Sequence, residues 1–116
     1  RKTGALLRAS VLSGAVLAGA APAQTDALDR YARQVGIAFQ IVDDILDVTS
    51  DDATLGKPAG SDLRHDKATY PKFYGLDRSR EMADAALADA LGALAPFGPR
   101  ADALRALALY TVRRGA

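Results

Sequence analysis

The chain contains no cysteine in its 116 residues. Disulfide bonds, thiolate metal ligands and a cysteine nucleophile are therefore excluded from it, and the composition suits the reducing cytoplasm, where we expect the protein to act. Histidine is almost as scarce. The single histidine, His65, lies in a charged loop between Arg64 and Asp66, so we expect it to be solvated rather than functional.

Charge of one sign is not in excess, because 15 lysines and arginines nearly balance 14 acidic residues and leave a net charge of +1. A nucleic-acid-binding surface or an anchor to an anionic membrane would need a strong positive excess. We therefore expect neither nucleic acid nor a membrane surface as a partner.

An apolar stretch at residues 5–21 falls short of the roughly 20 clean apolar residues that span a membrane, since Arg8 interrupts it. The basic pair before the stretch and Ala21-Pro22-Ala23 at its end imitate a secretory signal. Arg8 in the apolar centre and the absence of an initial methionine argue against a signal. We interpret the stretch as a helix whose small residues allow close packing.

Strict alternation of apolar and polar residues, which marks strands, is absent, whereas apolar residues recur at helical spacing. The sequence predicts one compact all-α unit, for which 49% hydrophobic content is ordinary. The predicted helices are Thr3 to about Ala20, Asp26 to about Val48, a short piece at Tyr70–Tyr74, Asp77 or Ser79 to about Leu94, and about Arg100 to Arg113, with a loop at Ser50–Ser61.

Three carboxylates lie in the apolar segment that ends the second predicted helix. On a helix, Asp43 and Asp47 stack one turn apart and Asp44 lies about 100° round, with Gly36 and Gln40 on the same side. Like charges one turn apart repel, and more so when desolvated, so a divalent cation would relieve the repulsion. The flanking side chains are apolar and predicted to be buried: Phe39, Ile41, Val42, Ile45, Leu46 and Val48.

Hard carboxylate oxygens on a rigid helix suit Mg²⁺, which is usually held by one or two carboxylates together with substrate phosphates. The sequence thus predicts a magnesium site for a phosphorylated ligand, with Lys57 and Lys67 in the following loop available to that phosphate. An EF-hand is excluded, because residues 43–52 lack the glycine of the sharp turn and have Ile45 and Leu46 where oxygen ligands belong. The alternative is a solvated acidic helix face.

Several motifs in order along the chain resemble those of the trans-prenyltransferases, the polyprenyl synthetase family that includes farnesyl and geranylgeranyl diphosphate synthases. Residues 36–47 are similar to the second aspartate-rich motif of that family, and Lys2-Thr3-Gly4-Ala5-Leu6 resembles its Lys-Thr motif. The likeness is nearest to short-chain bacterial farnesyl diphosphate synthases. The downstream matches are Thr54-Leu55-Gly56-Lys57, Gly60, Asp62, Lys67, Thr69 and Pro71.

The resemblance implies that an allylic diphosphate ionises and that isopentenyl diphosphate attacks the resulting carbocation, with Mg²⁺ as cofactor. The implied metal ligands, direct or through water, are Asp43, Asp44 and Asp47. The implied substrate-binding residues are Lys2, Thr3, Gln40, Lys57 and Lys67. Asp43, Lys2 and Lys57 are expected to be catalytic because they help neutralise the departing charge. Asp62 is expected to orient a lysine or a metal-bound water.

The first aspartate-rich motif of the family, its arginine pair and its isopentenyl diphosphate site all lie upstream of the Lys-Thr motif and are absent here. We therefore expect residues 1–116 to be the C-terminal portion of a single polyprenyl synthetase domain, folded as that part of the isoprenoid-synthase helical bundle. The full-length protein is expected to be a homodimer. Product length in the family is set mainly beside the missing motif, so a farnesyl product is expected by likeness alone.

Two alternatives stay open. A terpene cyclase has a similar all-helical fold and the same metal-triggered ionisation, although cyclases usually build their second metal motif from Asn or Asp, Ser or Thr, and Glu. The other alternative is a non-catalytic helical module, which would show no magnesium-dependent binding of diphosphate.

We predict that the 116-residue chain alone makes no prenyl diphosphates, because a metal held by one aspartate-rich motif would grip the diphosphate from one side only. Incubation with dimethylallyl and isopentenyl diphosphates and magnesium, followed by product chromatography, tests this. Robust product formation would show instead that one aspartate-rich face suffices.

Overall fold

The computed structural model describes residues 2–53 and 68–114, with side chains for residues 4–49 and 68–114. Within these ranges the chain forms helices and turns and no strand, which confirms the all-α prediction. No helix of the described part is long and apolar enough to cross a membrane. The helices are α1 (Lys2–Leu17), α2 (Pro22–Ala53), α3 (Tyr70–Ala93) and α4 (Asp102–Arg113), and a 3-10 segment covers Ala95–Ala101.

α1 ends where Gly19 takes a left-handed conformation, with φ at 72°. The amide of Gly19 donates to the Val16 carbonyl at 3.1 Å, and the amide of Ala20 donates to the Ala15 carbonyl at 3.0 Å. This pair of bonds is a Schellman motif, which glycine favours because it has no Cβ to clash. The helix therefore stops at Leu17, earlier than predicted from the spacing of apolar residues.

α2 begins at Pro22, so the prediction that Asp26 caps it was wrong. Proline is favoured at the first helical position because it lacks the amide hydrogen that would be unpaired there. Oε1 of Gln24 accepts from the amide of Ala21 at 2.9 Å and satisfies the donor just before the helix. At its other end α2 continues beyond the predicted Val48, and its 32 residues span about 48 Å.

α3 consists of two helical pieces that meet at a kink at Gly75, where φ is 80° and ψ is 165°. The hydroxyl of Ser79, which is fully buried, donates to the Gly75 carbonyl at 2.7 Å and satisfies an acceptor at the kink. The kink confirms the predicted short piece followed by a separate helix. The buried residues of the second piece are Ser79, Ala83, Ala86 and Ala90, whereas the larger Met82, Leu87 and Leu91 are only partly buried.

The turn between α3 and α4 is held by Arg105. Its guanidinium donates to the carbonyl of Gly98 at 2.7 Å, to the carbonyl of Leu94 at 3.0 Å and to Oδ1 of Asp102 at 2.8 Å. Leu94 follows the last turn of α3, where carbonyls have no partner within the helix. One side chain thus satisfies acceptors at the end of α3 and in the 3-10 segment, and it fixes the start of α4.

α2 contacts α1, α3 and α4, and the apolar core follows it in two clusters. The Tyr31 cluster, toward the start of α2, comprises Tyr31, Ala32, Val35, Ala90, Leu94, Ala101 and Ala108. The Ile41 cluster, toward its end, comprises Ile41, Val42, Ile45 and Ala83. The elongated shape, 52 × 23 × 21 Å, is expected when one long helix organises the packing.

Some apolar side chains of α1 and α4 face solvent. Leu6, Val16 and Leu17 on α1 expose 69%, 72% and 89% of their surface. Leu107 on α4 is 42% exposed, whereas Thr111 is buried. Exposed apolar side chains favour association with other surfaces.

The residue after α4 fastens that helix to α2. The Cζ atom of Arg114 lies 4.1 Å from the centroid of the Phe39 ring, and its guanidinium donates to the Phe39 carbonyl at 3.0 Å and to the Thr111 carbonyl at 3.2 Å. A cation over an aromatic face is attracted by the electrons of the ring. Because Phe39 directly precedes Gln40, this contact fixes the backbone of α2 next to the predicted site.

Tyr31 generates a prediction about pH. Its hydroxyl donates to the Leu104 carbonyl at 2.7 Å, and burial raises its pKa to about 12. The folded state favours the neutral phenol, so the neutral Tyr31 side chain stabilises the fold. This contribution is complete below about pH 10, where the side chain titrates in the unfolded protein, and it is lost as the pH rises toward 12. We expect the free energy of unfolding to fall by about 2–3 kcal/mol more in the unsubstituted protein than in Tyr31→Phe over that interval.

Urea titrations at about pH 9 and about pH 12 measure this difference. Tyr110→Phe is the matched control, because the ring of Tyr110 is 70% exposed, and this variant should keep the pH dependence of the unsubstituted protein. An unchanged pH dependence in Tyr31→Phe would contradict the assignment.

Candidate functional site

α1 and α2 cross in close contact where a glycine of each helix meets. A Cβ placed on Gly36 would lie 3.3 Å from the Cα of Gly4, so a side chain at Gly36 would press on the backbone of α1. The close approach brings the first turn of α1, which contains Lys2 and Thr3, beside the stretch of α2 that leads to the aspartates.

A cleft of about 540 Å³ opens beside this crossing, between α1, α2 and the first residue of α3. The cleft, termed here the α1–α2 cleft, is lined by Gly4, Ala5, Arg8, Ala32, Arg33, Gly36, Ile37, Phe39, Gln40 and Tyr70. The structure therefore places the predicted Gln40 in a concave surface together with part of the Lys-Thr motif. The side chains of Lys2 and Thr3 lie outside the described residues.

Two arginines of the cleft share one carboxylate. Nε of Arg8 is hydrogen-bonded to Oδ1 of Asp29, and Nε of Arg33 lies 3.1 Å from Oδ2. The hydrogen bond from Arg8, together with the nearby charge of Arg33, holds the pKa of Asp29 below its usual value. Sequence reasoning missed this trio. The i,i+4 spacing of Asp29 and Arg33 is a local signal for it, whereas Arg8 belongs to another helix.

Asp43 and Asp47 lie one turn apart on α2 and are partly exposed. Neither carboxylate forms a hydrogen bond or an ion pair with another described residue. No described residue therefore occupies their oxygen atoms, which can bind a cation or water.

Asp44, in contrast, is buried, with 3% of its surface exposed to solvent. Its Oδ1 accepts from Nε2 of Gln40 at 2.8 Å, and its Oδ2 accepts from the backbone amide of Tyr70 at 3.2 Å. The helical spacing predicted that Asp44 lies round the helix from Asp43 and Asp47, and it does so on the side of α3. Sequence reasoning missed Tyr70, because a backbone donor leaves no signal in the residue type.

Magnesium fits the described residues as part of a site. Among them, no group of three Asp, Glu or His side chains is arranged to hold a metal ion. Asp43 and Asp47 supply two accessible carboxylates, and Mg²⁺ is commonly held by one or two carboxylates when phosphates and water complete its shell. The chemistry of the donors thus suits Mg²⁺ together with a phosphorylated ligand, and the three-aspartate ligand set stays a prediction.

The predicted Lys57 and Lys67 lie outside the described residues, as do Asp62 and His65. What the structure brings together is Gln40, the buried Asp44 and the start of α3, with the first turn of α1 across the cleft.

Two partly exposed carboxylates near a cleft lined by two arginines, on the central helix of an all-helical chain, are an arrangement suited to enzymes that bind anionic substrates with metal ions. A family model described as polyprenyl synthetase matches residues 1–103. The chain belongs to this family, which confirms the resemblance to trans-prenyltransferases.

The chain is similar to a chloroplastic geranylgeranyl pyrophosphate synthase from Catharanthus roseus, with 50% identity over 114 residues that cover 97% of the chain and 32% of the relative. It is 49% identical to a dimethylallyltranstransferase from Fischerella ambigua (strain UTEX 1903) over 113 residues, which cover 97% of the chain and 33% of the relative. The chain therefore spans about a third of the length of these curated relatives.

The fold is similar to the crystal structure of a putative farnesyl-diphosphate synthase from Marinomonas sp. MED121. The TM-score is 0.76 and the sequence identity 36%, and the match covers 94% of this chain and 35% of that one. The match supports the predicted all-helical isoprenoid-synthase fold.

The helix crossing generates a prediction about two glycines. Gly14 has no atom within 4 Å of an added Cβ, so Gly14→Ala should stabilise the protein by about 0.5–1 kcal/mol through helix propensity alone. Gly36→Ala gains the same propensity but presses on Gly4, so it should destabilise the protein by about 1 kcal/mol. Thermal unfolding followed by circular dichroism measures both variants. Equal stabilisation by the two substitutions would show that the crossing tolerates a methyl group.

Proposed function

We propose that the protein carrying this chain is a polyprenyl diphosphate synthase, which joins isopentenyl diphosphate to an allylic diphosphate. The observation that supports this most directly is the polar stripe of α2. Asp43 and Asp47 are partly exposed in a segment of α2 whose apolar side chains pack in the Ile41 cluster, and Gln40, one turn before Asp43, lines the α1–α2 cleft. Family membership supplies the reaction class.

In this proposal Asp43 and Asp47 hold Mg²⁺, directly or through water. Asp44, which is buried, supports the site without binding the metal directly. When bound, Mg²⁺ would neutralise the charge that develops on the leaving diphosphate. Two accessible carboxylates one turn apart provide the hard oxygen donors that this requires, and the helix holds them in place before substrate arrives.

Cationic and polar side chains bind the diphosphate in the proposed site. The proposed binding residues are Lys2, Thr3, Gln40, Lys57 and Lys67, of which Lys2 and Lys57 act with Asp43 to neutralise the departing charge. Gln40 is suited to this role because its amide is held in the cleft by Asp44 at 2.8 Å. Apolar helix walls around the site would keep water from capturing the carbocation.

The proposal is made at the level of short-chain prenyl diphosphate synthesis. The similar proteins include a geranylgeranyl pyrophosphate synthase and a putative farnesyl-diphosphate synthase. A farnesyl product, a homodimeric state and a cytoplasmic location are the further expectations of the family resemblance. Product chromatography separates farnesyl from longer products directly.

The reaction is tested with the protein encoded by the full open reading frame that contains this chain. Incubation with radiolabelled isopentenyl diphosphate and dimethylallyl diphosphate should give labelled prenyl diphosphates with magnesium and none with a chelator. A cyclic hydrocarbon product would identify a terpene cyclase, and the absence of magnesium-dependent diphosphate binding would favour a non-catalytic module.

We predict that Asp43→Ala lowers turnover by about two orders of magnitude, a loss of roughly 3 kcal/mol in transition-state stabilisation, because it removes a ligand to the ion that stabilises the leaving group. Lys57→Ala should lower turnover less. His65→Ala is the control and should be near neutral. Steady-state rates at saturating magnesium measure all three, and an unaffected Asp43→Ala enzyme would contradict the metal assignment.

A further inference from the structure

Asp44 is a carboxylate that is 3% exposed and lies between two residues of the Ile41 cluster, Val42 and Ile45. An ionisable group in such surroundings is costly unless protein donors satisfy it. Among the described residues, Gln40 donates to one carboxylate oxygen and the Tyr70 amide donates to the other.

The Tyr70 bond closes the N-terminal turn of α3. The Tyr70 amide donates to Asp44, Pro71 has no amide hydrogen, the Lys72 amide donates to Oγ1 of Thr69 at 3.3 Å, and the Phe73 amide donates to the Thr69 carbonyl at 3.2 Å. The amides of Tyr70 and Lys72, which have no partner inside the helix, are thus both satisfied. A carboxylate at this position also interacts favourably with the helix dipole.

The Gln40 bond determines which end of the amide faces Asp44. A carboxylate only accepts hydrogen bonds, so Nε2 of Gln40 must face Asp44, and Oε1 and the second N–H hydrogen are left for other partners. Gln40 and Tyr70 both line the α1–α2 cleft. One buried carboxylate therefore orients a side chain of the cleft and anchors the first residue of the helix that borders it.

We propose that Asp44 is a positioning residue rather than a direct metal ligand: it holds Gln40 and the start of α3 in place beside Asp43 and Asp47. The consequence for diphosphate binding rests on the proposed function, whereas the anchoring of α3 does not. Asp43 and Asp47 differ from Asp44 because they are partly exposed and form no bond to another described residue.

The test uses the protein of the full open reading frame with alanine and asparagine variants of Asp44 and of Asp43, and with Gln40→Ala alone and combined with Asp44→Ala. The midpoint temperature of thermal unfolding, measured in the presence of a chelator, should be lower by about 5 °C or more in Asp44→Ala, because the Tyr70 amide loses its buried acceptor. Asp44→Asn should recover most of the loss, since its Oδ1 can still accept from Tyr70 and Gln40 can turn its amide to match. The Asp43 variants should unfold as the unsubstituted protein does.

Calorimetric titration with inorganic diphosphate at varied magnesium gives the second readout. Asp43→Asn should raise the magnesium needed for half-saturation by about tenfold or more, whereas Asp44→Asn should change it by less than about threefold. In a Gln40→Ala background, Asp44→Ala should have a smaller effect on diphosphate affinity, because the part of its influence that acts through Gln40 is already lost. A residue that is merely structural would weaken affinity equally in both backgrounds.

Two results would overturn the inference. One is an unfolding temperature of Asp44→Ala, measured in a chelator, that equals that of Asp43→Ala. The other is a magnesium concentration for half-saturation that rises as much in Asp44→Asn as in Asp43→Asn. An error in the proposed function would give a different result, because the unsubstituted protein would then not bind diphosphate. The metal-free unfolding comparison would still decide whether Asp44 anchors α3.

Discussion

α2 is packed against α1, α3 and α4, and the burial of its apolar side chains is the interaction on which the other features depend. Ile41, Val42 and Ile45 are each less than a tenth exposed, and burying a side chain of this kind contributes about 1.5–3 kcal/mol. That stabilisation offsets the cost of keeping the carboxylate of Asp44 among them. Without this packing, the aspartates would form an ordinary solvated helix face.

The side chains that share a face of α2 could be predicted from sequence, because helical spacing fixes them. The relation of Asp43, Asp44 and Asp47 to Gln40 follows from spacing alone. The partners from other helices could not be predicted in this way. The amide of Tyr70 reaches Asp44 across a separation of 26 residues, and Arg8 joins Asp29 from another helix, so both contacts depend on how the helices pack.

Helix ends were predicted well at Gly75 and after Leu94, and poorly at the end of α1 and the start of α2. The kink at Gly75 and the break after Leu94 follow from glycine and proline in the sequence. The start of α2 does not, because Gln24 and Pro22 take the place of the expected cap. On α4 the buried residues are the small Ala108 and Thr111, whereas the larger Leu107 is 42% exposed.

The division of the core into the Tyr31 and Ile41 clusters means that the two halves of α2 rely on partly different neighbours. Side chains of α3 contribute to both clusters, whereas α4 and the 3-10 segment add to the Tyr31 cluster and the Asp44 bonds lie at the Ile41 end. Exchange of backbone amides with solvent should therefore be slowest around Tyr31, where the larger cluster and the Tyr31–Leu104 bond add to the packing by α3.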